Sequence, residues 1–293
     1  MGVLDIYLLE ALINGVLLGG VLALLSLGLN LIFGVIDVVW ICYAELIMVG
    51  MYAVYYFHVV FGWPLVLAMM MGVLVVAAGG VALHYFVIRP VLAAEPINQL
   101  LVTGGVLFFL QAAATLAFGI EFKNLGVRLP PLVVGLGEAG EMSFSLPRVI
   151  AFAVAVAGVA ATYLFLTRSY IGTAIRAISQ DREIMPLMGV NPGRVFVVTS
   201  ALGGALAGLS ACLLVLQYDI HPAIGLSFGP ITFLICVLGG LGNMLGGLIA
   251  AFIFAQFISV GGFFFAIEWG YVIAFVFFIA VMFWRPQGIL GRK

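Results

Sequence analysis

The chain consists of long apolar segments separated by short breaks of glycine, proline or charged residues. The segment from Leu8 to Phe33, for example, is apolar on every face of a helix instead of along one stripe. Because about 20 apolar residues are needed to cross the hydrocarbon core of a membrane, such segments predict transmembrane helices. The predicted spans are 8–32, 44–61, 64–88, 97–118, 148–167, 194–217, 226–241, 244–264 and 268–284.

These segments predict eight or nine crossings. The count depends on two places, residues 226–264, where glycines interrupt the apolar run, and residues 33–45, where Asp37 and Glu45 bracket a short piece. Glycine-rich breaks inside a membrane favour broken helices or close helix contacts. The predicted fold class is all-α, a polytopic transmembrane helical bundle that forms a single domain over residues 1–293.

Composition excludes most other classes of protein. A chain with 65% hydrophobic residues, 8% charged residues and a mean hydropathy of +1.31 has too little polar surface for a soluble globule. The three cysteines lie in apolar segments without a C-x-x-C pair, so no disulfide framework and no metal site is predicted. No ATP-binding loop, H-E-x-x-H or G-x-S-x-G pattern occurs, so we expect no catalytic site and no cofactor.

The distribution of Lys and Arg predicts the orientation. If residues 168–193 are a cytoplasmic loop, eight basic residues fall inside and three outside, as the positive-inside rule requires. The N-terminus is then outside, the C-terminus cytoplasmic, and residues 119–147 form an extracytoplasmic loop with turns or a short hairpin. This orientation places Gln180 and Lys293 inside and Gly137 outside. The inner set is Arg89, Arg168, Arg176, Arg182, Arg194, Arg285, Arg292 and Lys293; the outer set is Lys123, Arg128 and Arg148.

An amphipathic helix is predicted in the cytoplasmic loop. Ile171, Ile175 and Ile178 recur at helical spacing, and the charged residues lie mostly off that stripe. Pro186 and Gly189 interrupt the helix, and a new helix is predicted after them with Asn191 as its N-cap and Pro192 at its first position.

The loop has three plausible uses: a solvated connector, a helix on the lipid surface, or a socket for a soluble partner. A lipid-surface helix is expected to be uniformly basic on its polar face. Asp181 and Glu183 lie among the arginines instead, which favours a protein partner.

A weak internal repeat suggests a transporter. Residues 15–30 and 199–214 share eight identities in sixteen positions, and the predicted orientation makes the two segments run in opposite directions. Inverted repeats are common in transporters, with the pathway at the repeat interface. Independent use of Gly, Ala and Leu for helix packing is the alternative.

Five motifs carry a resemblance to a known family. Glu183 followed by Gly189 resembles the E-A-A-x-x-x-G loop of ABC importer permeases, which contacts the ATPase subunit. In order along the chain, "IRP", "LLVTGGVLFFLQ", "AIRAISQDREIMPLMGVNPGRV", "VLGGLGNMLGG" and "WRPQGILG" resemble the high-affinity branched-chain amino-acid permeases of the LivH type.

The resemblance implies the permease subunit of an ABC importer in the lipid bilayer of a bacterial inner membrane, a multi-pass protein with a cytoplasmic C-terminus. The implied partners are a second, LivM-like permease, two cytoplasmic ATPase subunits and a periplasmic binding protein, with no nucleic acid. The expected ATPase-coupling residues are Arg176, Asp181, Arg182, Glu183 and Gly189.

The chain departs from the family pattern where a substrate pathway is expected. Trp40 to Ala44 replace the family's N-F-A-H-G, Glu45 is retained, and Ile231 replaces a lysine. The expected cargo is a branched-chain amino acid or a bulkier carboxylate, aromatic ones included. The residues predicted to line its path are Trp40, Tyr43, Glu45, Gly239, Gly240, Gly242 and Asn243.

The alternative function is a self-sufficient proton-coupled secondary transporter or a channel. Asp37, Glu45 and Asp219 lie at or near membrane depth, where ionisable groups are costly and usually functional. All three can also be placed at span ends near water.

Overall fold

A computed structural model describes residues 3–127, 132–135, 141–182 and 184–291, and these form a bundle of helices with one short hairpin. The all-α bundle predicted from the sequence is confirmed. The helices are α1 (Val3–Ile36), α2 (Tyr43–Tyr55), α3 (Leu65–Leu83), α4 (Arg89–Val91), α5 (Pro96–Phe118), α6 (Leu146–Arg168), α7 (Tyr170–Ile178), α8 (Pro192–Leu214), α9 (Ile224–Gly239), α10 (Met244–Phe264) and α11 (Ile267–Trp284).

All nine predicted spans coincide with helices. Seven helical segments in the described part of the chain are long and apolar enough to cross a membrane, while the apolar helices α9 and α11 are shorter. Two of the long segments contain π-helical turns: α2 continues through Tyr56–Val60, and His84–Ile88 joins α3 to α4. The span count thus depends on whether the two short helices cross completely.

Helix α1 is the centre of the bundle. It packs against α6, α8, α9 and α10. About nine-tenths of its 18 most apolar consecutive residues are buried. At 1.5 Å per residue its 34 residues span about 51 Å, which exceeds the hydrocarbon thickness. The helix ends at Ile36, and the next residue, Asp37, has a φ of +57°, the only positive value of a non-glycine residue among those described.

Glycines allow the helices to approach closely. A Cβ built at Gly80 of α3 would lie 2.6 Å from the Ser200 carbonyl oxygen of α8, so the two backbones touch there. Gly203 of α8 lies against Ile32 of α1, while Leu206 lies against Gly28. Because the contact partners advance in opposite directions, α1 and α8 run antiparallel.

The two repeat segments are followed by the same succession of elements. After α1 comes a non-helical segment, residues 37–42, and then α2; after α8 comes another, residues 215–223, and then α9. The antiparallel packing of α1 and α8 agrees with the opposite directions predicted for the repeat. The inverted relationship of the two units remains a prediction.

The predicted outer loop contains a hairpin. Strand β1 (Leu132–Gly135) pairs antiparallel with β2 (Glu141–Phe144), and Phe144 packs against Ile13 of α1. Gly137, Arg128, Arg292 and Lys293, which carried part of the orientation prediction, lie outside the described residues.

Candidate functional site

The break between α1 and α2 lies inside the bundle. Val38, Trp40 and Cys42 are buried, and the Thr103 hydroxyl of α5 donates to the Val39 carbonyl at 2.9 Å. Such a partner is required because a backbone group without one is costly away from water. Helix α2 therefore begins within the protein and not at its surface.

The two aromatic residues predicted for the pathway flank this break. The rings of Trp40 and Tyr43 meet edge to face with centroids 6.3 Å apart, and each side chain is 1% exposed. The Trp40 indole N–H points to Cys42 Sγ at 2.8 Å, and the Tyr43 hydroxyl donates to the Gly203 carbonyl of α8 at 3.1 Å. Within the single chain, both rings pack against protein.

Glu45 is fully buried in the first turn of α2. The Gln111 side chain of α5 donates to Glu45 Oε1 at 3.0 Å, whereas Oε2 has no hydrogen-bond partner among the described residues. A Cβ built at Gly225, in the first turn of α9, would lie 2.5 Å from Oε1. The carboxylate thus lies between the N-terminal turns of α2 and α9, whose dipoles favour a negative charge. Glu45 lies at the start of its span, as the sequence allowed, but its side chain is buried in the single chain and not exposed to water.

Helices α2 and α5 run parallel along a column of paired side chains. Glu45 meets Gln111, and seven residues later in each helix Tyr52 stacks on Phe118 with centroids 4.2 Å apart. The Tyr52 hydroxyl is buried without a hydrogen-bond partner in the described part of the chain. We call these four residues the α2–α5 column.

A cleft of about 930 Å³ opens at the end of the molecule where α1 terminates. Its walls come from the end of α1, from α6, from the segment around α7 and from the turn between α9 and α10. Four residues of the predicted pathway and coupling sets line it together with Asp37: Arg176, Arg182, Gly242 and Asn243. The cleft therefore joins part of the predicted pathway set to part of the predicted coupling set.

The amphipathic helix predicted in the charged loop is α7. Ser169 is its N-cap and accepts from the Gly172 N–H at 2.9 Å. Ile175 and Ile178 are buried, and Arg176 is exposed as expected. Ile171 is exposed, so the prediction is wrong for it: the buried face is formed by Gly172, Ala174, Ile175 and Ile178.

Arg182 joins the loop after α7 to the core. Its Nη2 donates to the Val35 carbonyl in the last turn of α1 at 2.9 Å, and its guanidinium lies 5.0 Å from the centre of the Phe196 ring of α8. A cation at a helix C-terminus interacts favourably with the helix dipole. The neighbouring Asp181 accepts from the Ile184 N–H at 3.1 Å, and Glu183 lies outside the described residues.

Gly189 ends the short 3₁₀ turn Met185–Met188 in a left-handed conformation, with φ +79°. The next helix begins as predicted, with the Asn191 side chain accepting from the Arg194 N–H at 3.3 Å and Pro192 at the first position. A Cβ at Gly189 would meet nothing within 4 Å, so backbone conformation and not space requires glycine there.

The predicted glycines of the pathway shape a helical hairpin. Gly239 lies against the backbone of Gly246, and Gly240 and Gly242 have positive φ in the turn between α9 and α10. Asn243 caps α10 through its Oδ1 and donates from Nδ2 to the Leu290 carbonyl at 2.8 Å. The motifs "VLGGLGNMLGG" and "WRPQGILG" therefore pack on each other. They are not grouped with Glu45, and their place in a pathway stays a prediction.

Loops meet at the other end of the molecule. The backbones of Lys123 and Ile220 form two hydrogen bonds, of 2.9 and 2.8 Å, and the Asn124 side chain donates to Asp219 at 2.7 Å. Burial lowers the pKa of the nearby His221 imidazole, and the Asp219 carboxylate opposes this shift.

Comparison of the sequence with known proteins identifies its family. A family model described as branched-chain amino acid transport system/permease component matches residues 11–282. The permease protein LivH of Escherichia coli, from a high-affinity branched-chain amino acid transport system, is 30% identical over 98% of this chain and 96% of its own length. The permease protein BraD of Pseudomonas aeruginosa is 29% identical over 97% and 96%. No solved structure gives a significant match.

The chain belongs to the branched-chain amino-acid transport permease family. It is a membrane permease subunit of the ABC importer type. A more distant relative is the LivM permease of Salmonella typhimurium, 23% identical over 91% of this chain and 67% of its own length.

Several residues of this permease's site are invisible to sequence patterns. Gln111 is one of several polar residues in the predicted span 97–118, and the sequence does not show that it is the one that meets Glu45. Gly225 gives no signal, because its importance comes from a carboxylate 180 residues earlier in the chain. Lys123 was counted only as an outer charge.

Proposed function

We propose that this permease moves a small organic solute through the region where α2, α5 and α9 meet, by alternating access driven by separate ATPase subunits. The observation that carries the proposal is the Arg182–Val35 hydrogen bond, which joins the loop after α7 to the end of α1. Directly beyond that point lie Asp37 and the break that leads to Glu45. Movement of the loop is transmitted along this route.

The partners implied by the relatives fit the two ends of the molecule. Two cytoplasmic ATPases bind at the end that carries the α7 segment, residues 168–193. This segment includes Arg176 and Arg182 and presents a charged surface with an exposed Gly189. A LivM-like second permease completes the membrane unit, and an extracytoplasmic binding protein delivers the cargo at the end that carries Lys123. The C-terminus is cytoplasmic in this arrangement.

Reconstitution tests the proposal directly. We expect proteoliposomes that contain this chain, its second permease and its ATPases to take up cargo from the binding protein only when ATP is inside. Liposomes with this chain alone are expected to show no uptake. ATP-independent uptake by the chain alone, driven by a pH gradient, would support the secondary carrier instead.

The buried Glu45 favours that carrier as the second candidate, because intramembrane carboxylates serve proton relays in such proteins. Glu45→Gln distinguishes the two. A carrier coupled to protons through Glu45 loses gradient-driven uptake, whereas an ATP-driven permease keeps its ATP dependence and changes only its rate or its apparent affinity for cargo.

The cargo is a branched-chain amino acid or a bulkier carboxylate. The aromatic pair Trp40 and Tyr43 supports the bulkier cargo, since each ring offers a large apolar face. Competition between leucine and an aromatic carboxylate in the assembled importer, in the wild type and in Trp40→Asn/Tyr43→His, is the test. If leucine is preferred by both proteins, the two rings serve only in packing.

A further inference from the structure

Four aromatic rings surround the ammonium group of Lys123. The Nζ atom lies 5.3 Å from the centre of the Tyr56 ring, 5.4 Å from Tyr55, 5.9 Å from Phe118 and 6.0 Å from Tyr52. A cation within about 6 Å of a ring centre is attracted by the ring's electrons, and several rings together form the kind of cage that binds ammonium ligands. We call these four rings the aromatic cage.

The cage is held together by contacts between the rings themselves. Tyr52 stacks on Phe118, Tyr56 lies 5.1 Å from Phe118, and Tyr55 meets Tyr56 edge to face at 5.7 Å. All four residues belong to the end of α2, its π-helical turn and the end of α5. The binding surface therefore does not depend on the lysine for its assembly.

Lys123 reaches the cage from a strap, residues 119–127, that follows α5. The strap is fastened to the loop 215–223 by the two backbone hydrogen bonds between Lys123 and Ile220 and by the Asn124–Asp219 hydrogen bond. A cavity of about 400 Å³, lined by residues 124–127 and 215–218, lies between strap and loop. It gives a small solute space beside the strap.

The cage continues the α2–α5 column. Tyr52 and Phe118 each lie seven residues, or about 10 Å of helix, beyond Glu45 and Gln111. A cation released from the cage toward the bundle would next meet the Glu45 carboxylate, whose Oε2 has no partner among the described residues. Two groups that attract cations thus lie in sequence along one pair of helices.

We propose that the aromatic cage is an ammonium-binding site at the outer mouth of the pathway. Lys123 fills it as a tethered occupant, and the ammonium group of the cargo takes the place of Lys123 when the strap lifts. The exchange with cargo rests on the proposed function and on a cargo that is an amino acid. The affinity of the cage for ammonium ions does not, and it can be measured without transport.

The binding test uses the purified full-length chain and the tetramethylammonium ion. In Lys123→Met the cage is empty, so tetramethylammonium chloride raises the midpoint of thermal unfolding in a saturable way relative to equal sodium chloride. At ten times the dissociation constant the rise is about 3 °C. The wild type and Lys123→Arg, whose cages are filled, show no such rise. If the Lys123→Met protein does not accumulate in cells, Lys123→Gln is used in its place.

Tyr55→Leu in the Lys123→Met background is the matched control, because it removes one ring and weakens the response. A folded Lys123→Met protein that shows no ammonium-specific rise would overturn the proposal and leave the rings as interfacial packing. In the assembled importer, Lys123→Met is expected to let tetramethylammonium inhibit uptake at lower concentration than in the wild type. If no protein of the series transports cargo but Lys123→Met still binds tetramethylammonium, the proposed function is wrong and the ammonium-binding site is retained.

Discussion

Gly225 shows how a single residue can depend on a distant partner. It offers no side chain, yet the space where its Cβ would be is occupied by the Glu45 carboxylate. Glycine at this position lets the first turn of α9 approach the first turn of α2, so that two helix N-termini face one carboxylate. The residue is therefore expected to be sensitive to the smallest enlargement.

Gly225→Ala is expected to lower the free energy of unfolding by about 1–3 kcal/mol, the usual cost of overpacking a filled site. In a Glu45→Ala background the same change is expected to cost much less, because the clashing group is gone. Thermal unfolding of the four proteins of this double-mutant cycle measures the difference. Gly104→Ala, on an open face of α5 where a Cβ meets nothing within 4 Å, is the control and should be neutral or slightly stabilising. Equal costs in both backgrounds would show that Glu45 does not occupy that space.

Gly189 depends on backbone conformation and not on space. Gly189→Asn is expected to be tolerated, because Asn adopts the left-handed region more easily than other side chains, whereas Gly189→Trp is expected to reduce ATPase binding while the membrane domain still folds. Co-purification of the ATPases measures this. Full ATPase recovery and full transport with Gly189→Trp would indicate a loop that is only a connector. Glu183→Arg, which reverses the charge of a predicted coupling residue, is expected to reduce ATPase binding in the same measurement.

At the scale of elements, hydropathy predicts the positions of the helices along the chain well, but it does not predict which helices contact each other. The predicted spans 244–264 and 148–167 agree with α10 and α6 within two residues, because the membrane demands long apolar helices whatever their neighbours are. The column between α2 and α5 could not be predicted, since Glu45 and Gln111 are 66 residues apart and nothing local pairs them. The aromatic cage could not be predicted either, because its rings come from two helices that are distant in the sequence.

Arg182 lets the link between elements be tested. Arg182→Ala removes the hydrogen bond to Val35 at the end of α1, so ATP hydrolysis by the assembled importer is expected to persist while uptake per ATP falls severalfold. Arg182→Lys keeps the charge but loses the planar guanidinium over Phe196, and an intermediate effect is expected. Arg194→Ala, an exposed arginine at the start of α8, makes the same change in charge and should leave coupling intact. Equal coupling ratios in Arg182→Ala and Arg194→Ala would exclude the proposed route.

At the scale of the whole molecule, the two ends differ in charge and in construction. One end holds the α7 segment, the turn between α9 and α10 and the C-terminal segment. Arg176 and Arg182 line the 930 Å³ cleft at this end, and Arg285 lies in the C-terminal segment beside the turn. The other end holds the strap and the loop 215–223. The positive-inside rule predicts that the arginine-rich end faces the cytoplasm.

Labelling of single cysteines tests this orientation, and the molecule is suited to it because the native residues Cys42, Cys212 and Cys236 are all buried. Gln180→Cys lies on the exposed loop after α7 and Glu121→Cys on the exposed strap. In intact cells whose outer barrier is permeable to the reagent, a membrane-impermeant maleimide is expected to label Glu121→Cys and to reach Gln180→Cys only after the membrane is opened. The unaltered protein should remain unlabelled throughout. Labelling of Gln180→Cys in sealed cells would reverse the assignment, since the ATPases would then have no access to α7 and the strap would face the cytoplasm instead of the binding protein.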